Sequence, residues 1–179
     1  VAAGCEPVSR GAAAGGAPAP APRDSVPAAV RWYRASAEQR AIYLEVYRAA
    51  GAALAQLSAG RAAGRWAVIL DADETVLDNS LYEQQRALAH EPFSEQKWRV
   101  WVDSAAATAL PGAAAFTLRV QQLGGRVVIG TNRDPAACDV TRDNLRTAGI
   151  ATDEVLCKMP GGGDDKNPRF DAVARGTPP

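Results

Sequence analysis

Asp71 and Asp73 stand one residue apart at the end of an apolar run, Trp66 to Leu70, within the segment WAVILDADETVLDNSLY over 66–82. A continuous apolar run of this length is the pattern of a strand buried on both faces of a parallel sheet. Ligands of open α/β sheets bind just beyond the carboxyl ends of the strands, so both acids arrive where chemistry is usually done. Two anions this close repel unless a shared proton or a cation intervenes. A hard cation such as Mg²⁺, which takes oxygen ligands and retains waters, is the simplest resolution. A bare D-x-D also occurs as the metal-binding pair of nucleotide-sugar transferases, and as an exposed turn after a strand. The strand in front and Asp78-Asn79-Ser80 behind weigh against both.

With Thr75, Val76 and Leu77 the segment reads hhhhDxDxT(V/L), where h is apolar, and so resembles the first motif of the haloacid dehalogenase (HAD) phosphohydrolases. The longer string DADETVLDNSLY is similar to the class C (subfamily IIIB) bacterial acid phosphatases, the lipoprotein e group. That resemblance implies Asp71 as nucleophile, forming an aspartyl-phosphate, and Asp73 as general acid and base. It also implies Mg²⁺ as cofactor, held by the carboxylate of Asp71 and the backbone carbonyl of Asp73. The fold it implies is a HAD-like, Rossmannoid α/β domain: a parallel sheet with flanking helices, an N-terminal helical segment and a small cap.

Other segments extend the likeness. Arg126 to Gly130 (RVVIG) reads as a second buried strand, ending in Thr131-Asn132-Arg133-Asp134. A Thr after an apolar strand is the second HAD motif, which binds the transferring phosphoryl oxygens, and the TNR string fits class C; Thr131 and Asn132 are therefore assigned to phosphate. A helix over 135–148 would aim its N-terminal amides at the same anion. Arg133 reads as a second phosphate contact or, equally, as a surface salt bridge. A third strand is expected over 153–157. The third motif is a Lys in a K-x-x-R-F context, which Lys166-Asn167-Pro168-Arg169-Phe170 matches; Lys158, nearer the strand, is its competitor. The acidic fourth motif, an equivalent of G-D-N-x-x-D, is absent. Asp164-Asp165 follow three glycines rather than a strand and do not replace it, so the chain reads as a fragment or processed form whose C-terminal part is missing.

Residues 79–110 contain no obvious strand and are dense in aromatics: Tyr82, Phe93, Trp98 and Trp101. In HAD phosphatases an insertion here forms a cap, the natural source of specificity. Trp98 and Trp101 share a helix face, which alone suggests burial, whereas Tyr82 and Trp98 are the candidates for stacking on a nucleobase. The substrate expected from the resemblance is a small phosphomonoester, a nucleoside 5′-monophosphate above others. The rivals are a sugar-phosphate phosphatase and a non-catalytic binding or storage lipoprotein of the same fold. Loss of the nucleophile would mark the last, and Asp71 and Asp73 are both present. His90, the one histidine, falls in a polar loop and reads as a surface residue.

The 179-residue chain has 20 basic and 20 acidic residues, which leaves no global field to draw in nucleic acid. Val1-Ala2-Ala3-Gly4-Cys5 resembles the end of a lipoprotein signal, with Cys5 as the lipidated residue, although Ala2 replaces the usual Leu. Residues 6–27, rich in Ala, Gly and Pro, read as a disordered tether. Together these imply an outer-membrane or periplasmic protein of the bacterial envelope, with the phosphatase-like domain over 28–179. Two helices are expected over 28–58, broken at Ser36, whose Ser36-Ala37-Glu38-Gln39 forms a capping box. Their apolar stripe, Val30, Tyr33, Ile42, Val46, Ala49, Ala53 and Leu57, is assigned to packing. Cys138 and Cys157 could pair in an oxidising compartment, but they fall on a helix and a strand without frame-like spacing, and free thiols are expected.

Overall fold

The computed structural model describes residues 26–176. The lipidation reading of Cys5 and nearly all of the tether lie outside the described residues. Helices α1 (Ala28–Ala35) and α2 (Ala37–Leu57) are separated at Ser36, whose hydroxyl accepts from the Gln39 amide at 2.9 Å. A cap of this kind stabilises a helix start by about 1 kcal/mol.

Three parallel strands follow: β1 (Ala67–Leu70), β4 (Arg126–Gly130) and β5 (Glu154–Leu156), in the order β1-β4-β5. Central β4 carries the buried run, with Val127, Val128 and Ile129 at zero exposure. The expectation that β1 is buried on both faces is corrected: all four of its residues are half-buried, because among the described residues it pairs only with β4 and forms a sheet edge. Trp66 lies just outside the strand with its ring over Gly125, where a Cβ would come within 2.3 Å of it.

Helix α5 (Ala113–Gln122) packs on β4, and α2 packs on α5. The segment 135–148 splits into a 3₁₀ turn, Pro135–Ala137, and α6 (Cys138–Thr147), started by the Asp134 side chain accepting from the Ala136 amide at 2.7 Å. Helix α7 (Asn167–Arg175) closes the described chain.

Between β1 and α5 lie α3 (Ser80–Leu88) and α4 (Glu95–Asp103), flanked by two short antiparallel strands, β2 (Leu77–Asp78) and β3 (Thr108–Ala109). The reading of 79–110 as free of strand is therefore corrected at its end. Two-residue strands carry no periodicity to find, and β3 is fixed by tertiary pairing with β2 and by the Leu110 amide donating to the Val76 carbonyl at 3.0 Å.

Two further expectations change. Ile42, Val46 and Leu57 of the assigned stripe are 52, 58 and 68% exposed, while the neighbouring row Tyr43, Tyr47, Ala50 and Leu54 faces the core. Both rows have helical spacing, and Tyr47 decides between them: its ring packs 5.4 Å from that of Phe116 on α5. Cys138 and Cys157 form a disulfide instead of remaining free. The start of α6 and the end of β5 come together with Cα atoms 5.9 Å apart, within the span that such a bond bridges.

Candidate active site

The register places Leu70 level with Ile129, so Asp71 leaves β1 beside Gly130, and Thr131 stands one residue farther along the neighbouring strand. Asp71 is the open member of the site, with its side chain 41% exposed. Its Oδ1 accepts from the Ala72 amide at 2.8 Å and meets Lys166 Nζ at 2.6 Å. Among the described residues no donor meets Oδ2, and this oxygen is free to face an electrophile or a cation. Lys158, the competing lysine, pairs with Asp164 at 2.7 Å.

Lys166 is delivered by α7, which docks in two ways. Phe170 packs on Gly130 so closely that a Cβ there would lie 2.4 Å from the ring. Buried Arg169 donates from Nη1 to the carbonyls of Thr131 (2.6 Å) and Leu156 (3.2 Å), and from Nη2 to Asn132 Oδ1. Sequence reasoning quoted Arg169 as part of K-x-x-R-F but gave it no task. It ties the ends of two strands to the helix that carries the lysine.

Thr131 is fully buried, and its hydroxyl accepts from the Arg133 amide at 3.1 Å, which leaves its own O–H free to donate to an anion. Asn132, assigned to phosphate, is occupied on both sides of its amide: Nδ2 donates to the Asp164 carbonyl at 2.8 Å and Oδ1 accepts from Arg169. It braces the loop after β5.

Asp73 is held very differently from Asp71. Arg133, its side chain 1% exposed, donates from Nη2 to Asp73 Oδ1 at 2.6 Å and from Nε to Oδ1 and Oδ2 at 3.1 and 3.2 Å. The sequence offered a phosphate contact or a surface salt bridge for Arg133, and the structure shows neither; it makes a buried pair with the second acid. Arg133 Cζ also sits 5.9 Å from the centre of the Trp98 ring, within cation–π range. Asn79, missed from sequence although the DNS string was quoted, donates from Nδ2 to Asp73 Oδ1 at 2.9 Å.

The turn between the acids and β2 is pinned from α2. Glu74 takes a left-handed φ of 54°, an uncommon conformation for a side-chain-bearing residue. Tyr43 donates its hydroxyl to the Glu74 carbonyl at 3.0 Å, and Tyr47 donates to the Thr75 carbonyl at 2.6 Å. Burial, and after it the charge of Asp73, push the Glu74 carboxyl above the usual carboxylate range against the opposing pull of its hydrogen bonds from Asn79.

Tyr82, expected to offer a face to a base, does not. It is 6% exposed, with its ring packed edge-on against Trp98 at 5.3 Å and tilted against Trp101 at 6.0 Å. Half-buried Trp98 lines a cavity of about 240 Å³ together with Arg99, Val102, Asn132, Asp134 and Lys158. His90 is exposed at a left-handed turn, away from these groups.

The Asp71 carboxylate, with one oxygen free of donors among the described residues, is a hard oxygen ligand of the kind a divalent cation takes. Among the described residues no three His, Cys, Asp or Glu side chains converge. The donor set fits Mg²⁺ in kind, since that ion is bound through one or two carboxylates with waters and substrate phosphate completing its shell.

Comparison with known proteins agrees with this geometry. The sequence profile of HAD superfamily, subfamily IIIB (acid phosphatase), matches residues 17–175. Two structures of the class C acid phosphatase of Bacillus anthracis, one with tungstate bound, superpose with a TM-score of 0.76 at 28 and 29% identity. In both cases 84% of this chain and 64% of the other are covered. Acid phosphatase 1 of Solanum lycopersicum is 34% identical over 87 residues, which is 49% of this chain and 34% of that protein. The chain thus spans less than two thirds of the length of these relatives. With three strands in parallel order, an Asp-x-Asp at the end of the first and a lysine returned to it by the last helix, the chain belongs to subfamily IIIB of the HAD superfamily, the acid phosphatases.

Proposed function

We propose that this protein is a Mg²⁺-dependent phosphomonoesterase working through an aspartyl-phosphate. The observation that carries the reading is the contact of Lys166 Nζ with Asp71 at 2.6 Å, which unites motifs 95 residues apart in the chain (166 − 71). Asp71 Oδ2 attacks phosphorus and the ester P–O bond breaks; Asp73, having first taken a solvent proton on Oδ2, passes it to the departing alkoxide. A water then attacks the aspartyl-phosphate, its proton passes to Asp73, and the Asp71–phosphorus bond breaks to release phosphate. Lys166 and the Thr131 hydroxyl neutralise and orient the phosphoryl oxygens, as positioning and charge do in phosphoryl transfer generally. When bound, Mg²⁺ supplies further charge neutralisation on those oxygens. Tungstate, bound in the Bacillus anthracis relative, is a tetrahedral oxyanion of the kind such a site accommodates.

The substrate class proposed is nucleoside 5′-monophosphates and similar aromatic phosphomonoesters. Trp98, on the wall of the 240 Å³ cavity beside Asn132, supports this as the aromatic group still available to a base. The place of action proposed is the bacterial envelope, with Cys5 as lipid anchor. The Cys138–Cys157 disulfide supports an oxidising compartment.

Asp71→Asn in the full-length protein should abolish turnover of phosphomonoesters and leave the fold intact by circular dichroism. Retained turnover would remove the mechanism. A panel of nucleoside monophosphates, sugar phosphates and aryl phosphates decides the substrate class, and hydrolysis of none would favour a binding protein.

A further inference from the structure

Trp101 and Asn79 are buried on the helical side of Asp73 and end in a hydrogen bond to its carboxylate. Asn79 is 2% exposed and Trp101 7%. The indole Nε1 of Trp101 donates to Asn79 Oδ1 at 2.8 Å. An indole N–H is a donor only, so the group facing it must be the amide oxygen. The amide nitrogen is thereby turned toward the site, where it donates to Asp73 Oδ1 at 2.9 Å and Glu74 Oε1 at 3.1 Å. The Asn79 backbone amide adds a third donor, to Glu74 Oε1 at 3.2 Å. With the amide reversed, its oxygen would face two carboxylates and its NH₂ would face a donor; the indole excludes that arrangement.

The two oxygens of Asp73 are unequal as a result. Oδ1 receives Asn79 Nδ2 together with Arg133 Nη2 and Nε. Among the described residues, Oδ2 receives only the long limb of the Arg133 fork, at 3.2 Å. Arg133 approaches from the end of β4 and Asn79 from the start of α3, so the carboxylate is gripped on two sides with one oxygen saturated and the other open.

We infer that Asn79, oriented by Trp101, is a positioning residue that saturates Asp73 Oδ1 and presents Oδ2 to the oxygen of the leaving group. This rests on the phosphatase reading above and deepens it. Trp101 belongs to α4 of the cap, and its ring packs on Tyr82, which packs on Trp98. The aromatic cluster of the cap thus sets the aim of the acid/base through one amide.

A mispositioned acid matters most when the departing oxygen needs its proton. A leaving group that is already a stable anion departs without help, while an alkoxide does not. The test measures kcat/KM in the full-length protein for a series running from p-nitrophenyl phosphate through less acidic phenols to a simple alkyl phosphate. Trp101→Phe removes the N–H donor and leaves a smaller aromatic ring in the cluster; Asn79→Ala removes the relay. Each variant should lose about 10-fold or more on the alkyl ester, within the range of general acid catalysis, and at most about 3-fold on p-nitrophenyl phosphate, on the same scale, so that the dependence on leaving-group pKa steepens. An equal loss along the whole series, or none, would overturn the positioning role, since reduced folding alone lowers every ester alike. If Asn79→Ala does not fold, Trp101→Phe alone carries the test. Absence of turnover by the unaltered protein would instead overturn the phosphatase reading, and this inference with it.

Discussion

On the sheet side of the site, Asp71 and Thr131 are placed by the ends of neighbouring strands; on the helical side, Asp73 is placed by other side chains. Asp71 owes its position to the β1–β4 register and has one cation on its open flank. Asp73 is gripped by a buried guanidinium from beyond β4 and an amide from the start of α3. In the roles proposed for them, a nucleophile must admit a phosphoryl group and so remains accessible, whereas an acid/base need only present one oxygen, and the rest of it can be buried in donors. Burial makes those contacts structural as well as chemical, because a charge left without its partner in a desolvated place is costly.

The contrast is tested most strongly by a pair of substitutions. Arg133→Met should cost about 3–5 kcal/mol of unfolding free energy, as breaking a buried ion pair does, with the lower end expected because the Asp73 side chain keeps 23% of its exposure. Lys166→Met should cost under about 1 kcal/mol, since its partner is open to water. Equal losses in urea unfolding would erase the distinction. Next in size is the disulfide: replacing Cys138 and Cys157 together by Ser should cost about 3 kcal/mol for a loop of this length, read as a lower Tm without reductant. If reductant alone leaves the Tm of the unaltered protein unchanged, the bond does not hold the two elements together. Trp98→Ala should weaken apparent binding of a nucleoside monophosphate by about 1–3 kcal/mol, the range of base stacking, and leave KM for a small alkyl phosphate unchanged. An equal rise for both would make Trp98 a packing residue of the helical side.

The smallest effect concerns the tyrosines that pin the turn. Burial pushes the phenol of Tyr47, one of that pair, up to about 12, and also raises that of Tyr33, which bonds Tyr43 and not the turn. A phenol whose folded-state pKa is raised keeps its proton where the unfolded chain has lost it. The associated stability is therefore complete below about pH 10, the ordinary tyrosine value, and is lost as pH rises from there toward 12. Tyr47→Phe should lower stability near neutrality by about 1 kcal/mol through the lost bond to Thr75, yet flatten the decline above pH 10. An unaltered slope in alkaline unfolding would separate Tyr47 from that decline.

What sequence could show follows the same division. Asp71 and Thr131 are legible because strands leave apolar runs with a terminal acid or Thr that resemble the family's motifs, and Lys166 because its K-x-x-R-F string resembles the third of them. The disulfide was not legible, because Cys138 and Cys157 meet only once α6 and β5 are packed side by side. Nor was the partner of Arg133, which is 60 residues away, or the link from Trp101 to Asn79, 22 residues apart. Helix α2 fails differently. Its rows Ile42-Val46-Ala49-Ala53 and Tyr43-Tyr47-Ala50-Leu54 are both apolar at helical spacing, and periodicity cannot rank two adjacent faces without knowing what each will meet. The tyrosines turn inward because their hydroxyls find the carbonyls of the strained turn.

Gly130 ends β4 with a hydrogen where any other residue would carry carbon, and the Phe170 ring occupies the space left over. Phe170 and Lys166 are one helical turn apart, joined by the Phe170 amide donating to the Lys166 carbonyl at 3.1 Å. A methyl group at Gly130 would act like a shim slipped behind a hinge, lifting α7 and with it the ammonium that meets Asp71. The gap between Asp71 and Lys166 is thus gauged by the thickness of a residue that bears no charge.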